Sequence, residues 1–364
     1  MSQAKTGMSI VITGACLRLS SVWPVTSSEP RYMKISGDYS GDRTCHFARR
    51  ASEHAWATAA CRVPPERIGS TVSASKLGIG GLLSSWDRGS ISADAWSEYI
   101  APRLNPDFVR GPVVTTIGAC ATGLCSWIRA AQLLENQEAD VVLAGSAEGA
   151  LHPFLLAGFK RMGVFSGTRP RPFDRRRDGF VAAEGAGIAV MEREADARRR
   201  GAAIRGKVLG WALAQDPTHP VAGAGDGIAV ERLMKTALRR AGIEPLDLSY
   251  IHLHGTGTIQ NDIAEAAALR RLFDDHGHFV AASSTKGATG HCLGAAGAVE
   301  ALITLNALKK RVAPATTGLE ELDERCSSRC LIREDTVIEG GIGMALSYGF
   351  GGHLAALVLE AEKK

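Results

Sequence analysis

An α/β fold made of two halves of similar grammar is what this sequence predicts, and three observations carry it. The run at 140–145 is apolar without alternation, as in a strand covered on both faces. A glycine turn joined to an apolar strand occurs at 185–194 and again at 349–360. A glycine-rich elbow that leads into a helix occurs at 118–135 and again at 287–308. The polar stretch 195–201, with Arg198, Arg199 and Arg200 in succession, is the natural linker, which gives units 8–198 and 201–361.

Composition sets the limits. With 364 residues, 45% hydrophobic and 22% charged, the chain can bury a large core and a catalytic cavity. A formal net charge of +4 is slight at this length and gives no general case for nucleic acid, although a local basic patch could still recruit an acidic partner. The 8 cysteines are scattered, without the paired spacing of a zinc site or the density of a secreted scaffold, so they read as reduced thiols. Cys326 and Cys330 form a lone CxxxC with no second pair, and no metal is expected. The apolar run 8–13 is too short for a signal core, and no stretch approaches the ~20 apolar residues of a spanning helix. A cytoplasmic location is therefore expected.

In chain order, 9–13 ahead of Gly14 reads as an opening strand, and 19–41 as irregular chain with Pro24 and Pro30. Alanines at 51, 55, 57, 59 and 60 make 43–61 a helix that begins with the basic cluster Arg43, Arg49 and Arg50. Residues 68–73 read as a strand, and 76–103 as mixed structure with an amphipathic stretch at 93–100. The β-branched run 113–117, bounded by Gly111, Pro112 and Gly118, predicts a strand. Leu124, Trp127, Ile128, Ala131 and Leu134 then recur at helical spacing. A helix is expected up to Met162, a charged loop at 169–179, and a strand at 185–194.

Cys120 falls on the elbow between the run 113–117 and its helix. There the helix dipole and first-turn amides favour thiolate, and the turn holds the side chain exposed and strained. A small buried hydrophobe is the plain alternative for any free cysteine. His254 lies where the alternation of 250–254 ends in a Gly-Thr turn, and His291 sits at a second glycine-rich turn, five residues after Lys286. One cysteine and two histidines without a metal are the equipment for acyl transfer through a thioester, the neutral imidazoles donating to an oxygen that becomes negative. Lys286 and Glu300 are expected to form an ion pair that fixes His291.

At these residues the sequence resembles the elongating β-ketoacyl-[acyl carrier protein] synthases. The matching segments are Ala-Cys-Ala-Thr-Gly around Cys120, His-Gly-Thr-Gly-Thr from His254 with Asn261 and Asp262 after it, and Lys-Gly-Ala-Thr-Gly-His from Lys286 to His291. Arg-Pro-Phe-Asp from Arg171, Asp-Gly-Phe from Asp178, Glu-Gly-Ala-Gly from Glu184 and Gly-Phe-Gly-Gly from Gly349 extend the match. The resemblance implies a thiolase-like five-layered α/β/α/β/α fold of two pseudo-duplicated halves, as a homodimer or as a heterodimer with a related subunit. It implies decarboxylative condensation of an acyl chain on Cys120 with malonyl-acyl carrier protein, in fatty acid or polyketide biosynthesis, with no cofactor. His254 and His291 would stabilise the enolate, and Lys286 and Glu300 would support them. The amides of Cys120 and Phe350 would form the oxyanion hole, with Phe350 as gate. Asp262 and Glu265 match structural acids near the site, and Arg43 and Arg171 fall where the family contacts its acidic carrier protein.

The chain departs from the family pattern in two places. It is shorter ahead of the nucleophile, between Gly81 and Gly111, where the family builds dimer interface, acyl pocket and lid. Leu346 replaces an asparagine, and His353 and Leu354 replace a threonine-asparagine pair. A non-reacting chain-length-factor subunit would lack the cysteine, although a shortened chain could need such a subunit to complete its pocket. A degradative thiolase would carry a second cysteine after Gly340, where this chain has none. A dinucleotide site at Gly349 fails because no helix follows the glycines.

Overall fold

The computed structural model describes residues 9–19, 32–33, 42–76, 104–149, 151–218 and 225–362. The expected irregular chain at 19–41, the amphipathic stretch at 93–100 and most of the shortened region fall wholly or largely outside these residues. The strands are β1 (Ile10–Leu19), β2 (Tyr32–Met33), β3 (Ile68–Ser70), β4 (Val141–Glu148), β5 (Ala182–Ala183), β6 (Gly185–Arg193), β7 (Gly206–Gln215), β8 (Tyr250–His252), β9 (Ala281–Ser283), β10 (Val312–Ala313), β11 (Thr336–Val337), β12 (Ile342–Gly349) and β13 (His353–Ala361). The helices are α1 (Arg43–Ala59), α2 (Thr122–Glu135), α3 (Pro153–Arg161), α4 (Glu194–Arg199), α5 (Ile228–Ala241), α6 (Ile259–Leu272), α7 (Lys286–Thr289) and α8 (Ala296–Lys310).

Nine strands share one hydrogen-bonded order, β3-β4-β6-β1-β7-β13-β12-β8-β9. From the β1/β7 junction outward, both arms have the same grammar. In one, β1/β6 and β6/β4 are antiparallel and β4/β3 is parallel; in the other, β7/β13 and β13/β12 are antiparallel and β12/β8 is parallel. The second arm continues with β9 parallel to β8. At the matching place in the first arm, the expected strand 113–117 is reduced to one parallel bridge between Val113 and Ser70. Its β-branched residues lie at the sheet's edge, with Val113 43% and Ile117 63% exposed, so no second neighbour among the described residues extends the ladder.

The layers follow from which helix faces are apolar. Helix α1 buries Phe47, Ala48, Ala51, Ala55 and Ala59 at helical spacing and packs on β1, β4 and β6. Helix α5 buries Val230, Leu233, Met234, Ala237 and Leu238 against β7 and β13, with α6 beside it. Helices α2 and α8 are apolar on most of their circumference. They pack on each other and on strands of both arms, so they form the middle layer of an α/β/α/β/α stack.

The two central helices also meet symmetrically. A Cβ on Gly123 would lie 2.3 Å from the Ala298 nitrogen, and one on Gly297 would lie 2.9 Å from the Leu124 nitrogen. Each helix therefore needs its glycine where the other's next residue crosses it, which aligns Gly123 with Gly297 and, by the same register, Cys120 with Gly294.

One expectation needs correction besides the strand at 113–117, and two further elements carry more than their sequence announces. The stretch 195–201 is not a bare linker, because most of it lies in α4. Glu194 and Asp196 stand in its first turn and pair with Arg198 and Arg199, a charge order that complements the helix dipole. Strand β4 is parallel only to β3 and antiparallel to β6, since burial on both faces governs the apolar run whichever way the neighbour points. The charged loop 169–179 reaches into the core. Arg177 is buried and bridges Asp323 at 2.5 Å and Asp262 at 3.5 Å.

Candidate active site

The turn at Cys120 differs from its expected form. Cys120 is only 6% exposed, in the 3-10 turn Ala119–Ala121 that leads into α2. The strain sits one residue earlier. Ala119 has φ +50, and Leu293, its counterpart in the turn ahead of α8, has φ +49. Left-handed backbone at a residue with a Cβ costs about 1–2 kcal/mol, and here the neighbouring contacts hold it. The Gly118 amide donates to Thr122 Oγ1 at 3.0 Å, which donates to the Ala119 carbonyl at 2.7 Å, and Ser347 Oγ donates to the Cys120 carbonyl at 3.0 Å. Burial pushes the Cys120 thiol upward, while Lys76 and Lys286 pull it back toward thiolate. The helix terminus alone therefore does not set the ionisation of this sulfur.

Cys120, His254, His291, Tyr348 and Phe350 line one cavity of about 520 Å³. His254 follows β8, and its ring centroid stands 5.4 Å from that of His291 and 5.2 Å from that of Tyr348. His291, at its glycine-rich turn, makes an isolated bridge with Ala182, its amide donating to the Val181 carbonyl at 2.7 Å, and the Phe180 ring meets it edge-on at 4.8 Å. The Nδ1 of His291 has no hydrogen-bond partner among the described residues.

Lys286 pairs with Glu300 as expected, but the pair fixes His254 rather than His291. An ammonium has three donors and no acceptor, and three acceptors surround this one: the Glu300 carboxylate, the His254 carbonyl at 2.5 Å and His254 Nδ1 at 3.3 Å. With Nδ1 accepting from a cation, the His254 proton belongs on Nε2. Burial, then the Lys286 charge, pushes both His254 and His291 well below the ordinary histidine value, so both rings are neutral donors. Burial also raises Glu300 to about 7. By contrast, His252, two residues before His254, is a satisfied core histidine, its ring nitrogens bonded to Thr285 Oγ1 at 2.9 Å and the Leu253 carbonyl at 3.1 Å.

This buried ion pair yields a stability prediction. Lys286→Met leaves Glu300 uncompensated and is expected to lower unfolding stability by about 3–5 kcal/mol in a urea titration, with most of the loss recovered in Lys286→Met/Glu300→Leu. The deficit should be smaller at about pH 6 than at about pH 8, because Glu300 escapes its burial by taking up a proton. A deficit independent of pH, or no recovery in the double variant, would contradict this account.

The two acids on α6 hold the loop behind the imidazoles. Glu265 accepts from the amides of His254 at 2.7 Å and Gly255 at 2.6 Å, and burial lifts it to about 8. Asp262 accepts from the amides of Phe173 at 2.7 Å and Gly257 at 3.2 Å. Phe350 packs on Phe159 with centroids 6.4 Å apart. A Cβ on Gly349, the residue before Phe350, would lie 2.3 Å from the Gly118 carbonyl oxygen and 3.0 Å from the Cys120 amide nitrogen. Gly349→Ala must push these two backbones apart, and we expect acyl loading of Cys120 to fall at least about tenfold in a mass-spectrometric assay while the fold persists. Loading at the native rate would mean that this apposition is irrelevant.

The remaining site candidates lie apart from this cluster. Arg43 is held by buried Glu184 at 2.6 Å, and Arg171 is half-buried with its Nε lacking a partner among the described residues. Leu346 is core, and His353 opens β13 opposite Gly349. Cys326 and Cys330 are both buried in the core around α5 and α6, and no group that could hold a metal ion occurs among the described residues. Among the described residues, no helix is long and apolar enough to cross a membrane. Sequence reasoning missed Lys76 and Tyr348. A lysine after a serine in a loop, or a tyrosine inside an apolar strand, carries no local mark of a site.

Comparison with known proteins accords with this geometry. Residues 25–197 match the family described as Beta-ketoacyl synthase, N-terminal domain, and residues 205–320 match Beta-ketoacyl synthase, C-terminal domain. The 3-oxoacyl-[acyl-carrier-protein] synthase 2 of Synechocystis sp. is 34% identical over 342 residues, covering 88% of this chain and 82% of that protein. The protein of the same name from Rhizobium meliloti is 36% identical over 304 residues, covering 78% and 72%. Among solved structures, the ishigamide ketosynthase/chain length factor and a β-ketoacyl synthase from Burkholderia phymatum STM815 are each 25% identical, with TM-score 0.84 over 98% of this chain and 100% of theirs. The chain thus belongs to the β-ketoacyl synthase family, acyl-transferring condensing enzymes with a thiolase-like fold.

Proposed function

We propose that this protein joins a Cys120-bound acyl chain to malonyl-acyl carrier protein with loss of carbon dioxide, giving a 3-ketoacyl-acyl carrier protein in fatty acid or polyketide biosynthesis. The observation that carries it is the single cavity shared by a thiol and two neutral imidazoles, one held in the Nε2–H form by a buried ammonium. The Cys120 sulfur attacks the carbonyl of an acyl thioester, and the carrier's thiol leaves with the proton. Malonyl thioester then binds and its carboxylate departs as carbon dioxide, the C–C electrons moving to an enolate whose oxygen accepts from His254 and His291. The enolate carbon attacks the acyl-cysteine carbonyl, the oxyanion sits between the amides of Cys120 and Phe350, and collapse expels the Cys120 thiolate.

The carrier protein is the expected partner, with Arg43 and Arg171 as docking candidates. The ion pair to Glu184 leaves Arg43 less charge for that purpose. A dimer, homo or with a related subunit, is supported by the exposed edge at Val113 and Ile117 beside the nucleophile's turn. Units 8–198 and 201–361 are the proposed halves, and the free state of all eight cysteines supports a cytoplasmic setting.

Incubation with a panel of acyl-carrier proteins and malonyl-carrier protein, read by mass, tests the proposal. An adduct on Cys120 and a 3-ketoacyl product are expected. An adduct without product, cured by a related subunit, would favour the alternative, one half of a ketosynthase/chain-length-factor pair. No adduct from any donor would overturn the reading.

A further inference from the structure

We propose that Asn261 is a specificity-determining residue for the acyl donor: its side-chain carbonyl accepts the amide N–H that lies next to the thioester on the donor's arm. The inference deepens the proposed reaction and rests on Cys120 as the residue that takes the acyl group.

Asn261 stands in the first turn of α6 and lines the same cavity as Cys120, His254 and His291. Its Nδ2 donates to Asp262 Oδ1 at 3.1 Å and to Glu265 Oε2 at 2.9 Å, so both of its N–H groups are used. A reversed amide would set its oxygen lone pairs against those of two carboxylates, which fixes the orientation. Oδ1 is then the polar atom of this side chain that is left over. It accepts from no described residue, and it is not sealed from solvent as the Nδ1 of His291 is.

Depth and charge say what such an acceptor would meet. Glu265 Oε2 also takes the Gly255 amide at 2.6 Å, so Asn261 is one carboxylate away from the residue that follows His254, toward the end of the cavity where a thioester must reach Cys120. Apart from the two neutral imidazoles, the ionisable groups on the wall besides Cys120 and Tyr348 are Asp178, Asp216 and Asp226, and no lysine or arginine joins them among the described residues. A wall of that sign suits a neutral arm that offers hydrogen-bond donors, and it repels one that carries phosphate at this depth. The carrier protein's phosphopantetheine arm fits, since a short ethylene spacer separates its sulfur from an amide whose N–H is the first donor along it. That N–H leaves water on entering the cavity and needs an acceptor, and a carbonyl already fixed in place supplies one without ordering a side chain on binding.

Acyl loading of Cys120, followed by mass in the intact chain, tests the idea with two small donors and no carrier protein. One is an acyl thioester of N-acetylcysteamine; the other is its oxygen analogue, in which an ester replaces the amide and only the N–H is lost. In Asn261→Ala the loading rate from the amide donor should fall about tenfold, while that from the ester donor stays within about twofold of native. The native preference for the amide donor should vanish in the variant. Asn261→Leu, which fills the space of the native side chain, repeats the comparison should alanine leave a void. Equal loss from both donors would make Asn261 a prop for Asp262 and Glu265 and overturn the proposal, as would native loading from the amide donor in both variants. No loading of the native protein from either donor would instead overturn the proposed reaction, and this inference with it.

Discussion

Cys120→Ala is expected to lose acyl loading and condensation by about 10⁴-fold or more, because no other group can hold the acyl chain. The remaining thiols are poor substitutes. Cys292, the nearest in sequence to His291, is buried and pushed up to about 12, and Cys125, on α2, is pushed up to about 11. The same variant should still release carbon dioxide from malonyl-carrier protein, since the two imidazoles and Lys286 form their network without the sulfur. Mass mapping of the acyl adduct in the native protein checks the first claim, and product gas from the variant checks the second. An adduct on any other residue would remove Cys120 from the chemistry.

Much of this arrangement was legible in the sequence because it depends on short-range signals. The elbow at Cys120 and the turn ahead of α8 announce themselves by glycines followed by apolar helical spacing, and both turned out to share even the left-handed residue before the central position. The motifs at His254 and His291 carried the family resemblance. What stayed hidden depends on partners distant in sequence. That 113–117 is not a strand reflects the lack of a second neighbour among the described residues, not its own propensity, since β-branched content cannot report whether a ladder continues. The burial of Cys120 comes from its cavity walls, all of which lie further along the chain, from Met162 to Leu354. Lys286 holding His254 rather than His291 is a matter of reach across 32 positions, whereas sequence proximity had pointed to the histidine five residues on.

The two imidazoles should separate the reaction's halves. His291→Ala is expected to slow malonyl decarboxylation by about 10²–10³-fold, the range for losing one donor to a developing oxyanion, while acyl loading of Cys120 changes far less. Loading has no need of an enolate donor, and the Cys120 turn is held by Thr122 and Ser347 rather than by His291. The pH profile supplies a second reading of the same pair. Burial and the Lys286 charge both disfavour protonation, so the imidazoles remain neutral well below the ordinary histidine range. Decarboxylation measured in the Cys120→Ala background, where the sulfur cannot titrate, should therefore hold its rate from about pH 6 down to about pH 5, below the range in which Glu265, at about 8, and Glu300, at about 7, take up protons, whereas a ring titrating near 6.5 would lose most of its neutral form there. Lys286→Met should restore an inflection nearer that value, because the cation that opposes protonation of His254 is gone. Equal loss of loading and decarboxylation in His291→Ala would make the residue a structural one. An inflection near 6.5 in the variant that retains Lys286 would mean that the catalytic imidazole is not held neutral by its surroundings, and the electrostatic account of the pair would fail there.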